Sequence, residues 1–233
     1  MASQVSMALA AACSVVLAAC LNPAASPTTT VVEAPPQSTP RLVLWDGSQI
    51  KPRSAGTGRS GHLVFDDGGR AWADCESKPE CKSTLAAVNG AGLTAGKGLK
   101  FHGEGSGWIG SGWSWVDWYP ANAGTSVTAY RSLTFQIRVE TKSQNDAAEP
   151  ANVSVALGCS SGRKASKAVV IQPYDRSFDD GKWHKLRIPL TAFAKANDGT
   201  AFDLETLWDF RLSTWSATSR EFDIYVDQIA VEN

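Results

Sequence analysis

The segment 105–120, GSGWIGSGWSWVDWYP, holds four tryptophans, and their spacing indicates what they could bind. On an extended strand, Trp113, Trp115 and Asp117 lie on one face, because successive side chains point to opposite sides of a strand. Indole rings stack on flat apolar surfaces, and a carboxylate accepts hydrogen bonds from hydroxyl groups. This face therefore predicts binding of a flat ligand that is rich in hydroxyl groups. A tryptophan-rich core strand is the alternative interpretation.

Two later segments supply polar residues that could support this face. In 130–141, YRSLTFQIRVET, apolar residues alternate with a polar set that includes Gln136, Arg138 and Glu140. In 207–215, LWDFRLSTW, Arg211 and Trp215 alternate with apolar residues in the same way. If these strands share one sheet, their outward side chains line a shallow groove of sugar-binding composition. Otherwise Arg138 and Glu140 form a solvated surface and Trp215 plugs a loop.

Residues that could perform catalysis do not form a recognisable pattern. The histidines are far apart and lack HExxH spacing, and no GxSxG nucleophile turn is present in the sequence. The carboxylate pairs at 66–67 and 179–180 adjoin glycine-containing turns, where aspartate is favoured for local hydrogen bonds. Glu104 with Asp117 stays open as a pair across a cleft. Binding without catalysis is therefore the prediction.

The strands that must position these residues indicate an all-β fold. Roughly ten segments with period-two alternation are separated by turn signals, and no segment has the periodicity of an amphipathic helix. We expect a two-sheet antiparallel β-sandwich over 41–233. In the last strand the inward parity switches between Val226 and Ile229, which predicts a bulge at Asp227-Gln228.

Composition narrows the class of partner. The chain has 233 residues, is 43% hydrophobic and 19% charged, and has a formal net charge of −1. A chain of this length and apolar fraction can therefore form a packed core. Both signs of charge are interspersed without a basic patch, so nucleic acid is not an expected partner.

The N-terminal residues indicate export. The apolar run Met7–Ala19 is too short to span a bilayer and has the length of a signal-peptide core. It ends in Leu17-Ala18-Ala19-Cys20, which resembles the bacterial lipobox and implies a signal peptide over 1–20 with acylation of Cys20. Leu21, where an aspartate would retain a lipoprotein at the inner membrane, favours the outer membrane or cell surface. Secretion without a lipid anchor is the alternative. Residues 21–40, rich in Pro, Thr, Ser and Ala, predict an extended tether.

Three cysteines follow the lipobox. In an exported protein, Cys75 and Cys81 are close enough in sequence to close a small disulfide loop. Cys159 continues the inward parity of its segment, which predicts a buried, inert thiol. A disulfide from Cys159 to Cys75 or to Cys81 remains open.

The C-terminal third resembles a known family. GKWHKLRIPLTAF and FDIYVDQIAVEN are similar to the closing strands of β-jelly-roll, galactose-binding-like domains, which occur among carbohydrate-binding modules. The residues that carry the resemblance are Trp183, Ile188-Pro189-Leu190, Phe193, Tyr225, Asp227 and Ile229. The resemblance implies a jelly-roll sandwich that binds polysaccharide without catalysis. Surface adhesion through protein partners and a small glycan-active enzyme are the alternatives.

The same resemblance implies a structural calcium ion between the first and last strands, with Asp46 and Asp227 as ligands. Calcium takes several oxygen ligands, and backbone carbonyls at the predicted bend could complete the shell. Gln228 stands where many relatives have a second aspartate. Acceptance of backbone hydrogen bonds is the alternative role for Asp227.

Overall fold

A computed structural model describes residues 40–46, 52–55, 61–65, 70–76, 81–93, 96–115, 124–142 and 152–233. The predicted signal peptide, the lipidation site Cys20 and the tether, apart from residue 40, lie outside these ranges. The strands are β1 (Arg41–Trp45), β2 (Pro52–Ala55), β3 (Gly61–Phe65), β4 (Arg70–Cys75), β5 (Lys82–Asn89), β6 (Lys97–Ser114), β7 (Ser132–Thr141), β8 (Val153–Cys159), β9 (Val169–Val170), β10 (His184–Pro189) and β11 (Leu207–Glu232). Short 3-10 helices span Ser161–Arg163 and Leu190–Phe193. Within the described ranges, no helix has the length and apolar character needed to cross a membrane.

The long strands β6 and β11 organise the sheet. They pair with each other in antiparallel register, with an irregularity between Ser216 and Arg220 that divides β11 into two halves. The first half pairs with β8 and with the C-terminal half of β6, to which β4 also pairs. The second half pairs with β7, with β1 and with the N-terminal half of β6, to which β5 pairs. Gly105 and Gly107 lie at the junction on β6 with φ of 124° and 87°, a conformation that favours glycine.

The two halves face each other across a common core. Phe135 on β7 packs against Phe210 on the first half of β11 with ring centroids 5.0 Å apart, although these two segments do not pair. The sheet is therefore folded into two layers. Layer A contains β4, β8, the C-terminal half of β6 and the first half of β11. Layer B contains β5, β7, the N-terminal half of β6 and the second half of β11. The all-β antiparallel fold class predicted from the sequence is confirmed.

Alternating residues fill this core as the sequence pattern predicts. Leu133, Ile137 and Val139 on β7 are fully buried, and Ile188 on the neighbouring β10 is fully buried as well. Burial of each such side chain stabilises the fold by about 1.5–3 kcal/mol relative to exposure. The inward side of each strand is therefore fixed, and with it the identity of the side chains that face solvent.

The bulge predicted near the end of the chain is present. The register of β11 against β7 shifts between Asp227 and Ala230, and Gln228 has φ of 51°. Asp227 satisfies backbone donors at this point, because its carboxylate accepts hydrogen bonds from the backbone N–H groups of Leu93 at 2.9 Å and Gln228 at 2.7 Å. The extra residue moves the inward parity from Val226 to Ile229.

The cysteines follow the sequence interpretation. Cys75 and Cys81 are joined by a disulfide with their Cα atoms 6.3 Å apart, which connects the end of β4 to the start of β5. Cys159 is a free, buried cysteine. Burial raises the pKa of its thiol. A raised pKa keeps the thiol protonated and unreactive, in agreement with an inert core residue.

His184, the first residue of β10, contacts Asp175 and Asp180 of the preceding segment, and we call these three residues the histidine clamp. His184 Nδ1 lies 2.7 Å from Asp175 Oδ2, and its Nε2 lies 2.8 Å from Asp180 Oδ1. Both ring nitrogens face carboxylates, so the doubly protonated ring satisfies both. Partial burial lowers the pKa of His184, but the hydrogen bonds to Asp180 and Asp175 outweigh it and raise that pKa above 6.5. The hydrogen bond from His184 is the largest cause that lowers the pKa of Asp180 to about 2.

We expect this clamp to make stability depend on pH. The His184 contribution is fully present below the unfolded-state pKa of 6.5 and is lost as pH rises through the raised folded-state value. The Asp180 contribution is present above 3.8 and is lost as pH falls towards about 2. Melting temperatures of the wild type and His184→Asn, measured between pH 5 and pH 9 by circular dichroism, check the His184 contribution. The difference between the two proteins should shrink at alkaline pH, and a difference that is constant with pH would contradict the clamp.

Candidate functional site

The outer face of layer A is built from the even-numbered residues of β6. Ile109, Ser111 and Trp113 point into the core, where they are at most 2% exposed. The alternate residues, Trp108, Gly110, Gly112 and Ser114, therefore lie on the opposite side. Gly110 and Gly112 have no side chain, so neighbouring side chains can lie directly against the backbone of β6 at these two positions.

The expectation that Trp113 is an exposed ligand contact is wrong. Its side chain is fully buried, and its ring centroid lies 5.7 Å from that of Phe210. Trp115 has the same parity and is only partly buried, but it also packs against the core. Asp117 lies outside the described residues. Trp113 and Trp115 lie on one face, as their alternation predicts, but this face is the inward one, which is the alternative of a core strand.

Tryptophans from two strands lie over the two glycines of β6. The indole of Trp108 lies across Gly110, and the indole of Trp72 on β4 lies across Gly112, where an added Cβ atom would collide with each ring. Trp215 on β11 pairs directly with Trp108 and is 55% exposed. Trp72 and Trp108 are partly exposed. We call Trp72, Trp108 and Trp215 the tryptophan platform.

Polar groups flank the platform at defined positions of the register. Gly110, which lies beneath the Trp108 ring, pairs with Asp74 on one side and with Ser213 on the other. Asp74 is exposed, and one of its carboxylate oxygens accepts the Cys75 backbone N–H at 2.8 Å. Carboxylate and hydroxyl groups therefore border an aromatic surface, a combination whose chemistry suits sugar rings and their hydroxyls.

Arg211 borders the second half of the platform. It pairs with Gly112, on which the Trp72 ring lies, and its side chain is 29% exposed. Its Nε donates a hydrogen bond to Asp209 Oδ1 at 3.0 Å, and its Nη2 donates to Asp209 Oδ2 at 2.9 Å. This two-point contact fixes the plane of the guanidinium. The outward position of Arg211 and Trp215 predicted from their parity is confirmed.

Asp209 is the buried partner that holds Arg211. Its side chain is 3% exposed, and its carboxylate occupies the space that a side chain at Gly158 would need. Burial raises the pKa of the Asp209 carboxyl, and the charge of Arg211 opposes this rise. A buried carboxylate in this position requires its cationic partner, because an unpaired buried charge is strongly destabilising.

The polar residues of β7 do not belong to this face. Gln136, Arg138 and Glu140 alternate with Phe135, whose ring faces Phe210 across the core, so their side chains leave layer B on the opposite side of the molecule. The predicted groove that combines them with Arg211 and Trp215 is therefore wrong. The strands alternate as expected, but β7 pairs with the second half of β11 and not with the first.

Arg138 has a local role on the outer face of layer B. Its guanidinium carbon lies 4.0 Å from the centroid of the Tyr225 ring and 5.4 Å from that of Trp183. Its Nε lies 3.1 Å from Glu140 Oε1, but without the angles of a hydrogen bond. A guanidinium between two aromatic rings is a stabilising arrangement in a sheet surface.

The predicted calcium ligands lie on neighbouring strands. Asp46 is exposed and directly follows Trp45, which pairs with Ile229 on β11 close to Asp227. The carboxylate oxygens of Asp227 each accept a backbone N–H. Over the part of the chain that the structure describes, no group of three acidic, histidine or cysteine residues could hold a metal ion.

Sequence reasoning missed three members of this face. Trp72 and Asp74 lie in the segment AWADC, where they alternate with the buried Ala71, Ala73 and Cys75. This short alternation is the signal that could have found them. The side of Trp108 could not be assigned from the sequence, because glycine at 110 and 112 gives no apolar or polar pattern.

These features define a class of protein: a β-sandwich module that presents an aromatic and polar face on one sheet. Residues 63–233, most of the chain, match the family model described as Carbohydrate binding domain 30 (CBM30). The chain therefore belongs to this family of non-catalytic carbohydrate-binding modules. A comparison with curated proteins found no match.

Solved structures of similar fold include parts of polysaccharide-degrading enzymes and separate carbohydrate-binding modules. A β-1,2-glucanase from Parabacteroides distasonis is 17% identical with a TM-score of 0.53, and the match covers 81% of this chain but 24% of the glucanase. The family 30 module of the cellulosomal cellulase Cel9D-Cel44B of Clostridium thermocellum is 18% identical over 79% of this chain and 95% of that module, with a TM-score of 0.48. A family 11 module from the same organism, in complex with a β-1,3-1,4-mixed-linked tetrasaccharide, is 16% identical over 74% of this chain and 94% of that module, with a TM-score of 0.43.

Proposed function

We propose that this module binds a neutral β-linked glucan along the tryptophan platform on the outer face of layer A. The observation that carries the proposal is the arrangement of the three rings, of which two lie over glycines and the third, Trp215, pairs with Trp108 and is 55% exposed. The β-1,4-linked segments of such a glucan are extended, and the C–H faces of their pyranose rings can rest on indole. An open platform therefore accommodates such a chain better than a closed pocket would.

Polar groups beside the rings account for recognition of the sugar hydroxyls. Asp74 and Ser213 flank the Trp108 ring, and Arg211 flanks the Trp72 ring. A carboxylate accepts hydrogen bonds, a guanidinium donates them, and a hydroxyl does both. The platform therefore offers both kinds of partner to a chain whose hydroxyls are all donors and acceptors.

Titration of the full chain with soluble mixed-linked β-glucan, followed by calorimetry, tests the proposal. Dextran is the matched control, because it is a neutral glucan with α-linkages. We expect heat of binding with the β-glucan, none with dextran, and no increase in reducing ends during prolonged incubation. Absence of binding to every glucan would favour an adhesion protein, and release of reducing ends would favour an enzyme.

Anchoring of the chain at the cell surface is part of the proposal. Acylation of Cys20 would anchor the chain, and residues 21–40 would act as a tether that holds the module away from the membrane. Phase partition of the expressed full chain in a detergent such as Triton X-114 checks the anchor. The wild type should enter the detergent phase and Cys20→Ala the aqueous phase, whereas equal partition of both would indicate secretion without a lipid.

Calcium stays a prediction of the sequence resemblance. If Asp46 and Asp227 bind calcium with backbone carbonyls, removal of the ion with a chelator should lower the melting temperature, and added Ca²⁺ should restore it. Asp227→Asn should abolish this response. If Asp227 serves only the backbone N–H groups of Leu93 and Gln228, the melting temperature of the wild type should not respond to Ca²⁺.

A further inference from the structure

Charged residues of both signs lie at outward register positions of the platform face. Asp74 on β4, Glu76 directly after β4 and Asp209 on β11 are acidic, whereas Arg211 on β11 is basic. Arg70, at the start of β4, has the same parity as Trp72 and Asp74 and pairs with Ser114, which also pairs with Asp209. The charge of Arg211 therefore contributes to whether an anionic chain would find an attractive partner at this surface.

Asp209 cancels that charge at close range. Its carboxylate binds the guanidinium through contacts of 2.9–3.1 Å, and its side chain is only 3% exposed. A buried countercharge is screened little by solvent, so it remains effective at physiological salt. To an incoming ligand, Arg211 is then a fixed hydrogen-bond donor with little net positive charge.

The geometry of the pair also fixes where Arg211 can donate. Nε and Nη2 are engaged by Asp209, which leaves Nη1 for a ligand at the platform. The absence of a side chain at Gly158 makes the space for the Asp209 carboxylate. A planar donor whose orientation is already fixed loses little rotamer entropy when it binds a hydroxyl.

We propose that buried Asp209 determines the selectivity of the platform for neutral over acidic polysaccharides, by orienting Arg211 and cancelling its charge. The proposal rests on the proposed function, because it assigns this role at the same platform. Asp209 acts through Arg211 and is a positioning residue that does not itself touch the ligand. Loss of its charge should both weaken binding of neutral chains and admit acidic ones.

Asp209→Asn tests both effects, because asparagine keeps the shape and removes the charge. We expect affinity for soluble mixed-linked β-glucan to fall about tenfold, as a fixed charge-assisted donor becomes mobile. We expect the variant to gain binding to polygalacturonate at low salt and to lose it at high salt. If Asp209 had only a structural role, its substitution would not produce salt-sensitive binding of a new ligand.

Matched variants make the outcome decisive. The double variant Asp209→Asn/Arg211→Ala, which leaves no unpaired buried charge, should lose the polygalacturonate binding that Asp209→Asn gains, because that binding passes through Arg211. If Asp209→Asn does not fold, Arg211→Lys is tested in its place. Lysine keeps the positive charge next to Asp209 but lacks the planar guanidinium with its several fixed donors. Glucan affinity should therefore fall about tenfold without a gain of polygalacturonate binding. Wild-type behaviour of Asp209→Asn with both ligands, or of Arg211→Lys with glucan, would overturn the proposal.

Failure of this proposal can be separated from failure of the proposed function. Trp215→Ala removes an exposed ring of the platform without touching the Asp209–Arg211 pair. If Trp215→Ala loses glucan binding while Asp209→Asn binds as the wild type does, the platform stands and the selectivity role is wrong. If Trp215→Ala binds glucan normally, the platform itself is not the binding site.

Discussion

Trp108→Ala and Trp215→Ala are each expected to weaken binding of mixed-linked β-glucan by roughly 30-fold or more. Central aromatic contacts in binding sites typically cost about 2 kcal/mol or more on truncation, and about 1.4 kcal/mol corresponds to a tenfold change. The two residues pair with each other across β6 and β11, so each truncation removes one ring of the same stacking surface. Calorimetric titration of the purified variants measures the loss directly.

Trp183→Ala is the matched control for these variants. Trp183 is partly buried like Trp108, but it lies beside Arg138 on the outer face of layer B, away from the platform. Its removal should leave the affinity for glucan unchanged. The opposite result, in which Trp183→Ala loses binding and Trp215→Ala keeps it, would move the site to layer B, where the sequence placed Gln136, Arg138 and Glu140.

Folding energetics distinguish loss of contact from loss of structure. Trp215 is 55% exposed, so its truncation removes little buried surface and should hardly change the melting temperature. Trp108 covers Gly110, and its truncation exposes that backbone, so a modest decrease in melting temperature is expected. A loss of affinity with an intact transition in Trp215→Ala therefore reports on the ligand contact alone.

The sequence predicts the strand alternation of this protein well because burial imposes a period of two. Leu133, Ile137 and Val139 on β7 mark the core face directly, and the parity switch before Ile229 marks the bulge at Gln228. Both signals are local in sequence. The carbohydrate-binding class follows from the closing strands, whose resemblance to such modules agrees with the family match over 63–233.

The position of the site could not be obtained in the same way, because it depends on which strands become neighbours. Arg138 and Arg211 have the same outward parity, but their strands belong to different layers, so they point to opposite sides of the molecule. The sequence pattern does not show which residues of β6 face outward, because Gly110 and Gly112 carry no side chain. Only the register shows that Trp72 and Trp108 occupy the space above these glycines.

Trp113→Ala is expected to produce the largest loss of stability in the chain's tryptophan segment. Trp113 is fully buried against Phe210, and truncation of a buried large aromatic residue typically lowers the free energy of unfolding by about 3–5 kcal/mol. For a domain of this size each kcal/mol corresponds to a shift of roughly 2–4 °C, so the melting temperature should fall by about 10 °C or more. Thermal unfolding followed by circular dichroism measures this shift.

Trp113→Phe separates the role of packing from that of the indole N–H. In the part of the chain that the structure describes, Trp113 Nε1 is buried without a hydrogen-bond partner, which is unfavourable by about 1–3 kcal/mol. Phenylalanine keeps an aromatic ring against Phe210 and removes this donor, so its loss of stability should be much smaller than that of alanine. At temperatures where both variants are folded, they should bind β-glucan as the wild type does, because Trp113 points away from the platform. Loss of glucan affinity in Trp113→Phe with an unchanged melting temperature would instead place this residue in contact with the ligand.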